Sequence, residues 1–424
     1  MEAGQVSRSD AEQLYQQRDR RLKDAIALRV PDRVPVVLSS AYWPTAYYGH
    51  SVRQAMYDYR LAAECWRRAA VELQPDGVMA SLANTAVGPL LEAFRWRPVR
   101  WAGHGAPDNV SYQYLDQEVM RADEYDAYML DPTYFYLSRY LPRVSETLAP
   151  LAKLPQFPKA QNLRLFPWFR VFGDPEVAGM LRQMVEIGEE AQRMWDEHAA
   201  LQKDLADLGF PGLSAALCPC PFDYFGDYLR GSKGIMLDMY RRKDKLLEAM
   251  EHITPMLIEG AIADGRAGAC NIIFMPMHWG LDGFMSLDQF KTFYWPFLRR
   301  ILVAQIEAGV VPCVFWEGVC NSRLEIIGDI PPGKAIYWFE GTDLFRAKQV
   351  LGEAVCLRGN VPASLLNVGT PDDVTAYCKR LIEEVGRNGG FILDGGGGDG
   401  IPDEARPENV RAMFRSVHEF GRYQ

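Results

Sequence analysis

The sequence predicts a (β/α)8 barrel of the TIM type, with a helical extension at its N-terminus and an insertion after the second strand. Three observations predict it. Short apolar runs alternate with helix-like segments along most of the 424 residues. The runs show few alternating polar positions, as expected of parallel strands buried on both faces. Each late run also ends in a burst of polar, aromatic or glycine residues, and in such barrels function gathers at the C-terminal ends of the strands.

The elements follow in order. Ser9–Leu28 reads as an amphipathic helix, stopped by Pro31-Asp32-Arg33-Val34-Pro35. Val34–Leu38 is the first strand, followed by an aromatic loop that contains Tyr42, Trp43, Tyr47 and Tyr48. Ser51 is placed to cap a helix running to about Glu72, and Asp76–Ser81 is the second strand. Residues 93–175 break the rhythm: they are rich in Trp, Tyr, Arg and Pro, with a hairpin-like piece at Val110–Leu115. They read as an excursion from a single 1–424 domain.

Asp174-Pro175 is a start signal for a long helix over Glu176–Leu208. Leu213–Leu217 is the third strand, with Cys218-Pro219-Cys220-Pro221-Phe222-Asp223-Tyr224-Phe225 at its tip. A helix over Ile235–Ile262 is expected to break near Pro255. Cys270–Met275 is the fourth strand, tipped by Met277-His278-Trp279-Gly280, and Ser286–Ala308 is a helix that tolerates Pro296. Val310–Trp316, Ala335–Glu340, Ala354–Val361 and Gly389–Gly395 complete the eight.

The net charge of −9 argues against nucleic-acid and membrane-surface partners, which require basic patches. No run of 18 apolar residues occurs, and the start, Met1-Glu2-Ala3-Gly4-Gln5, has no apolar core of a leader, so no span and no signal peptide are expected. Eight scattered cysteines do not form a disulfide framework; they suit buried positions in a cytoplasmic protein. Cys218 and Cys220 lack the spacing of a zinc knuckle, whereas Cys320 is close enough to Glu317 in sequence to be weighed as a ligand.

The order Gly359-Asn360-Val361-Pro362, Gly369-Thr370-Pro371-Asp372-Asp373-Val374, Gly389-Gly390-Phe391-Ile392-Leu393, Ile401-Pro402 and Pro407-Glu408-Asn409-Val410 resembles the uroporphyrinogen decarboxylase superfamily. So does the opening helix followed by Pro31-Asp32-Arg33-Val34-Pro35-Val36. The resemblance implies a barrel with its active site at the mouth. It also implies one of two chemistries: decarboxylation of tetrapyrrole acetates, or cobalamin-dependent methyl transfer to or from a separate corrinoid protein.

The residues choose between them. The decarboxylase requires a basic loop after the first strand, since several carboxylates must be paired. Here Ser39–Gly49 holds no Arg or Lys, and the second strand's tip, Ala80-Ser81-Leu82-Ala83-Asn84, lacks the family's Asp. The thiol-directed methyltransferases use a His-x-Cys pair and a late Cys as zinc ligands. In this chain those positions fall on Phe315 and Glu317, and near Asp399.

What remains is two carboxylates, Glu317 and Asp399, with His278 as a third candidate. This set could hold zinc or a harder divalent metal, or could act without metal as a general acid. Glu317 could instead pair with Arg323, Asp399 could be a turn residue of the glycine-rich segment, and His278 could be a core histidine. Asp394 rivals Asp399. Glu340 and Asn360 also end strands, while Asp343 suits a helix cap.

Aromatics crowd the strand ends. Tyr42, Trp43, Tyr47, Phe222, Tyr224, Trp279, Phe315, Trp316 and Trp338 predict an apolar pocket for a flat uncharged substrate or a corrin ring. The expectation is a corrinoid-dependent methyltransferase. Its methyl donor would be a small aromatic methyl ether and its partner a corrinoid protein, with a homodimer left open. A decarboxylase of a smaller acid and a non-catalytic binding barrel are the alternatives.

Overall fold

The computed structural model describes residues 8–156 and 161–423. The expected leaderless start, Met1–Gln5, lies outside them. Eight parallel strands occur where apolar runs predict them: β1 Val37–Ser39, β2 Gly77–Met79, β3 Ala216–Leu217, β4 Ile272–Met277, β5 Val311–Trp316, β6 Ile336–Phe339, β7 Cys356–Pro362 and β8 Phe391–Gly396.

Strands β3 to β8 form one parallel sheet in chain order, and β1 pairs with β2 in another. Single parallel bridges join the two sheets at both seams, Val36 to Leu393 and Val78 to Gly212. The backbone N–H of Leu393 donates to Pro35 at 2.9 Å, and that of Val78 to Pro211 at 2.9 Å.

The two faces of each strand bury different layers, as a side-chain period of two requires. One face of each packs against the surrounding helices, carrying Leu38, Val78, Ile273, Met275, Val314, Trp316, Tyr337, Phe339, Leu357 and Leu393. On the opposite face, Val37, Leu213, Ile272, Cys313, Ile336, Cys356 and Ile392 join Leu22, Ala25 and Ile26 of the first helix in a separate cluster. That helix, Arg8–Ile26, therefore plugs the N-terminal end of the strands. Its Arg21 and the loop residue Arg33 both bind Asp76, which also accepts the N–H of Val36 at 2.9 Å.

The next inward layer is aromatic. Phe315 lies 4.1 Å from Trp338 between ring centroids and 6.0 Å from Phe274. The Arg358 guanidinium covers Trp338 at 3.8 Å and pairs with Asp394 at 2.8 Å, both groups being buried. Asp394 also accepts from the Ser39 hydroxyl at 2.6 Å.

The helices show where local signals hold and where they fail. Asp174 caps a helix over Pro175–Asp207 through the N–H groups of Glu176 and Val177. Ser286 makes a capping box with Gln289, and the chain then runs through a π turn at Phe290–Tyr294 into Trp295–Glu307, with Pro296 in its first turn.

Three expectations need correction. Ser51 caps only Val52–Tyr57, because Asp58 starts a fresh helix over Tyr59–Leu73. The helix after β3 breaks at Arg242, between Gly231–Arg241 and Lys243–Ala267, while Pro255 sits inside the second piece. In the excursion, Gln113–Tyr114 pairs antiparallel with Val99–Arg100, so Val110–Leu115 is not itself a hairpin. Among the described residues no helix is long and apolar enough to cross a membrane.

Candidate active site

The tips of β3, β4 and β5 bring four polar side chains together. After β3 a short turn of helix, Pro221–Asp223, passes into a π turn over Tyr224–Arg230. Asp223 and Asp227 are four residues apart and so share one face of this segment. Both reach the loop beyond β4. Asp223 accepts the backbone N–H groups of His278 at 3.2 Å and Trp279 at 3.1 Å, and also the Tyr294 hydroxyl. Asp227 takes the corresponding side chains, His278 Nδ1 at 2.7 Å and Trp279 Nε1 at 2.7 Å. One carboxylate thus fixes the loop and the other fixes its imidazole and indole.

The far side of the ring meets the tip of β5. His278 Nε2 lies 3.3 Å from the Glu317 carboxylate. Gly318, next in the chain, has φ +129, which lets the backbone turn sharply behind Glu317. Burial alone would lower the His278 pKa, but its hydrogen bonds to Asp227 and Glu317 outweigh burial and hold it up at about 11. The ring is about a third exposed, so water moderates this pull. At neutral pH His278 is an imidazolium with a carboxylate on each nitrogen. Burial, and then the Asp227 charge, drives the Asp223 carboxyl upward.

Asp399 is near this cluster but not part of it. It sits in the turn after β8, where Gly397 and Gly400 exchange backbone hydrogen bonds at 2.8 and 2.9 Å. Gly400 has φ +101, and a Cβ there would stand 2.0 Å from the Ser39 Oγ. The turn is therefore locked against β1. The Asp399 side chain is accessible yet recessed among protein atoms; burial and then the Glu317 charge raise its pKa to about 6. Burial and the same Glu317 charge also raise Glu340. Tyr114, from the excursion, is 80% exposed, yet burial, Asp399, Glu317 and Asp227 all raise its phenol. Its phenol thus lies within the field of these three carboxylates.

Of the catalytic residues expected from sequence, His278 and Glu317 touch, and Asp399 joins them through its field. They do not form the expected metal cluster. Among the described residues no three His, Cys, Asp or Glu side chains are placed to hold a metal ion. Both imidazole nitrogens already face carboxylates, so a bound zinc fits poorly here. Glu317 does not pair with Arg323, which instead binds carbonyls of Gly280, Leu281 and Met285. Cys320 bonds to Thr342 and is buried. Asp394 is spent on Arg358 and Ser39 inside the strands.

The aromatic candidates divide. Trp279, with Phe284 5.0 Å from it, and the half-buried Tyr224 stand at the mouth. Phe315 and Trp338 form the floor below. Trp316 has to be corrected: the strand period turns it outward onto Phe290 and Tyr337. Tyr47 binds Glu72 and Arg411 on the helical layer, stacked 4.8 Å from Trp43, whose indole donates to Ala405 at 2.8 Å. Tyr42 bonds to Thr85 at 2.7 Å and Phe222 is fully buried. Asn360 donates to the Thr342 carbonyl at 2.9 Å and so orders the β6 tip. Reading the sequence missed Asp223, Asp227 and Arg358. The first two carried a signal in their four-residue spacing beyond a strand end.

Comparison with known proteins bears on the family and the fold. Residues 215–420 match the family model described as uroporphyrinogen decarboxylase (URO-D). The uroporphyrinogen decarboxylase of Chlorobium luteolum is 25% identical over 275 residues, 62% of this chain and 73% of that protein. The uroporphyrinogen decarboxylase of Syntrophotalea carbinolica is 27% identical over 180 residues, 42% of this chain and 50% of that protein. A solved methyltransferase from Methanosarcina mazei superposes with a TM-score of 0.57 at 17% identity, covering 94% of this chain and 98% of that one. At that identity the likeness shows a shared fold.

Proposed function

Taking as premise that this chain is a relative of the uroporphyrinogen decarboxylase family, we propose that it is a methyltransferase. In this reading the eight strands close into a (β/α)8 barrel whose mouth transfers the methyl group of a small aromatic methyl ether to a corrinoid carried by a partner protein. The observation that carries the reading is His278, held as an imidazolium between Asp227 and Glu317 in an aromatic-walled mouth. The charged groups beside it are the carboxylates of Asp227, Glu317 and Asp399, which suit a neutral substrate and repel a polycarboxylate.

The chemistry requires an acid. An aryl ether gives up its methyl group only as its oxygen gains a proton or a strong donor. The corrinoid supplies a nucleophilic reduced metal that accepts the methyl group. This chain supplies the rest. Trp279 and the Phe315–Trp338 floor hold a flat ring, and the His278 Nε2–H, which rests 3.3 Å from Glu317, turns to the leaving oxygen when the substrate enters between the two side chains. Asp227 fixes the imidazole, and Glu317 keeps it charged until the oxygen develops negative charge. Asp399, with its raised pKa, is the reserve from which a proton can be restored. The carbon–oxygen bond breaks, the methyl group leaves for the acceptor, and the phenol departs with the donated proton.

The test uses a donor labelled in its methyl group. The protein is incubated anaerobically with cob(I)alamin and 2-methoxyphenol bearing a trideuterated methyl group, and the cobalamin is analysed by mass spectrometry. Labelled cobalamin is expected with the native protein, and its loss is expected in a folded Glu317→Gln variant. Unchanged transfer in that variant would remove Glu317 from the mechanism.

A further inference from the structure

The excursion is not remote from the mouth. One buried network ties it to the turn after β3, and a second, partly exposed one braces it internally. Arg230, in the turn after β3, binds Asp238 at 2.6 Å, and the Tyr125 hydroxyl donates to the same carboxylate at 2.7 Å. Glu124 binds Arg143 at 2.6 Å and Arg139 at 2.9 Å. Between these anchors the chain lays three tyrosines against the turn that carries Asp223 and Asp227.

The contacts form a chain of hydroxyls. Tyr128 and Tyr224 are 3.3 Å apart, oxygen to oxygen, and Tyr224 and Tyr136 are 2.7 Å apart. The Tyr136 ring is 4.5 Å from that of Tyr140, and Tyr224 is 6.1 Å from Tyr228. Tyr228 feels both Asp227 and Asp223, so this wall adjoins the carboxylate clamp on His278.

Proton counting gives the wall a direction. Three phenols own three O–H hydrogens, and two hydrogen bonds consume two of them. The third must sit at one end of the chain. Tyr128 is fully buried, and a donor stranded there would lose its water without replacement. Tyr136 is only partly buried. The chain therefore runs outward, Tyr128 to Tyr224 to Tyr136, and the spare hydrogen belongs to Tyr136. No acceptor for it occurs among the described residues.

We propose that Tyr136 donates this hydrogen to an uncharged oxygen on the ring of the substrate, which lies along Tyr140, and that the excursion thereby selects neutral oxygenated arenes over aryl carboxylates. The proposal rests on the mouth being the substrate site of the methyltransferase reading and narrows its substrate class. Glu317, Asp227 and Asp399 oppose a carboxylate from one side, and the spare donor rewards a neutral oxygen from the other.

The test is equilibrium binding, which needs no methyl acceptor. The intact protein is titrated calorimetrically near neutral pH with 2-methoxyphenol, methoxybenzene and 2-methoxybenzoate. The phenol should bind tightest and the benzoate weakest. Tyr136→Phe should weaken 2-methoxyphenol by about 5- to 10-fold, the weight of one neutral hydrogen bond, and change methoxybenzene by less than about 2-fold. Tyr128→Phe leaves the outward donor in place and should change neither by more than about 2-fold, within the scatter of single contacts.

Equal loss for all three ligands in Tyr136→Phe would overturn the proposal, as would no loss for the phenol. So would tightest binding of the benzoate, or no binding by the native protein. If this pattern holds while no methyl group moves, the reaction assignment fails and the wall stands.

Discussion

Removing Asp227's charge should lower the proton affinity of His278 by a measurable and bounded amount. In the native protein the imidazole has two carboxylate partners, at 2.7 and 3.3 Å, and is held near pKa 11. Asp227→Asn keeps the shape and removes one charge-assisted bond. Such a bond contributes about 1.5–3 kcal/mol, and one pKa unit corresponds to about 1.4 kcal/mol. The ring is about a third exposed, which puts the effect at the lower end, roughly one unit. The double variant with Glu317→Gln should fall further, because only the Asp223 charge then opposes burial.

The assay is a pH titration of the 13C-labelled imidazole signals, assigned with His278→Gln. The sign also fixes the stability profile. A histidine whose folded pKa is raised binds more protons when folded, so its stabilisation is complete below its unfolded value near 6.5 and is lost as pH rises through about 11. Titration of native His278 near 6.5, or no change in Asp227→Asn, would refute the clamp.

Other outcomes follow from the same geometry. The proton on Asp399 should appear in the pH–rate profile as a group titrating near 6, with turnover falling as pH rises through it, and that limb should vanish in Asp399→Asn. A raised carboxyl pKa also means that this group's contribution to stability is greatest below its unfolded value near 3.8 and declines up to about 6. Gly400→Ala must displace Ser39 from a position 2.0 Å from the new Cβ; the expected cost is about 1–3 kcal/mol, read by denaturant unfolding, with loss of the Asp399 limb. Arg358→Met strands Asp394 inside the strands and should cost about 3–5 kcal/mol, whereas replacing both partners by apolar residues should recover most of that.

The strands were legible because parallel strands buried on both faces leave continuous apolar runs, and all eight occur within a few residues of those runs. The start signal at Asp174 was equally legible, since a cap is a local hydrogen bond. Pro255 misled because a proline can be carried inside a helix whose other bonds are kept. The site was half legible. His278 and Glu317 announce themselves at strand tips, whereas Asp227 is marked only by its four-residue spacing from Asp223. Trp316 and Tyr47 were placed at the mouth by their neighbours in sequence, yet each faces the helical layer. Facing is fixed by strand phase in one case and by a tertiary pair with Arg411 in the other. Arg358 was hidden within an apolar run, where its charge is neutralised by Asp394, 36 residues further on.

The most direct measurement is rapid-mixing absorbance of anaerobic cob(I)alamin with the protein and 2-methoxyphenol. Decay of the cob(I)alamin spectrum into that of methylcobalamin is expected, with catechol released in equal amount. An unchanged cobalt spectrum, together with carbon dioxide release from an aromatic or tetrapyrrole acid by the same protein, would contradict it.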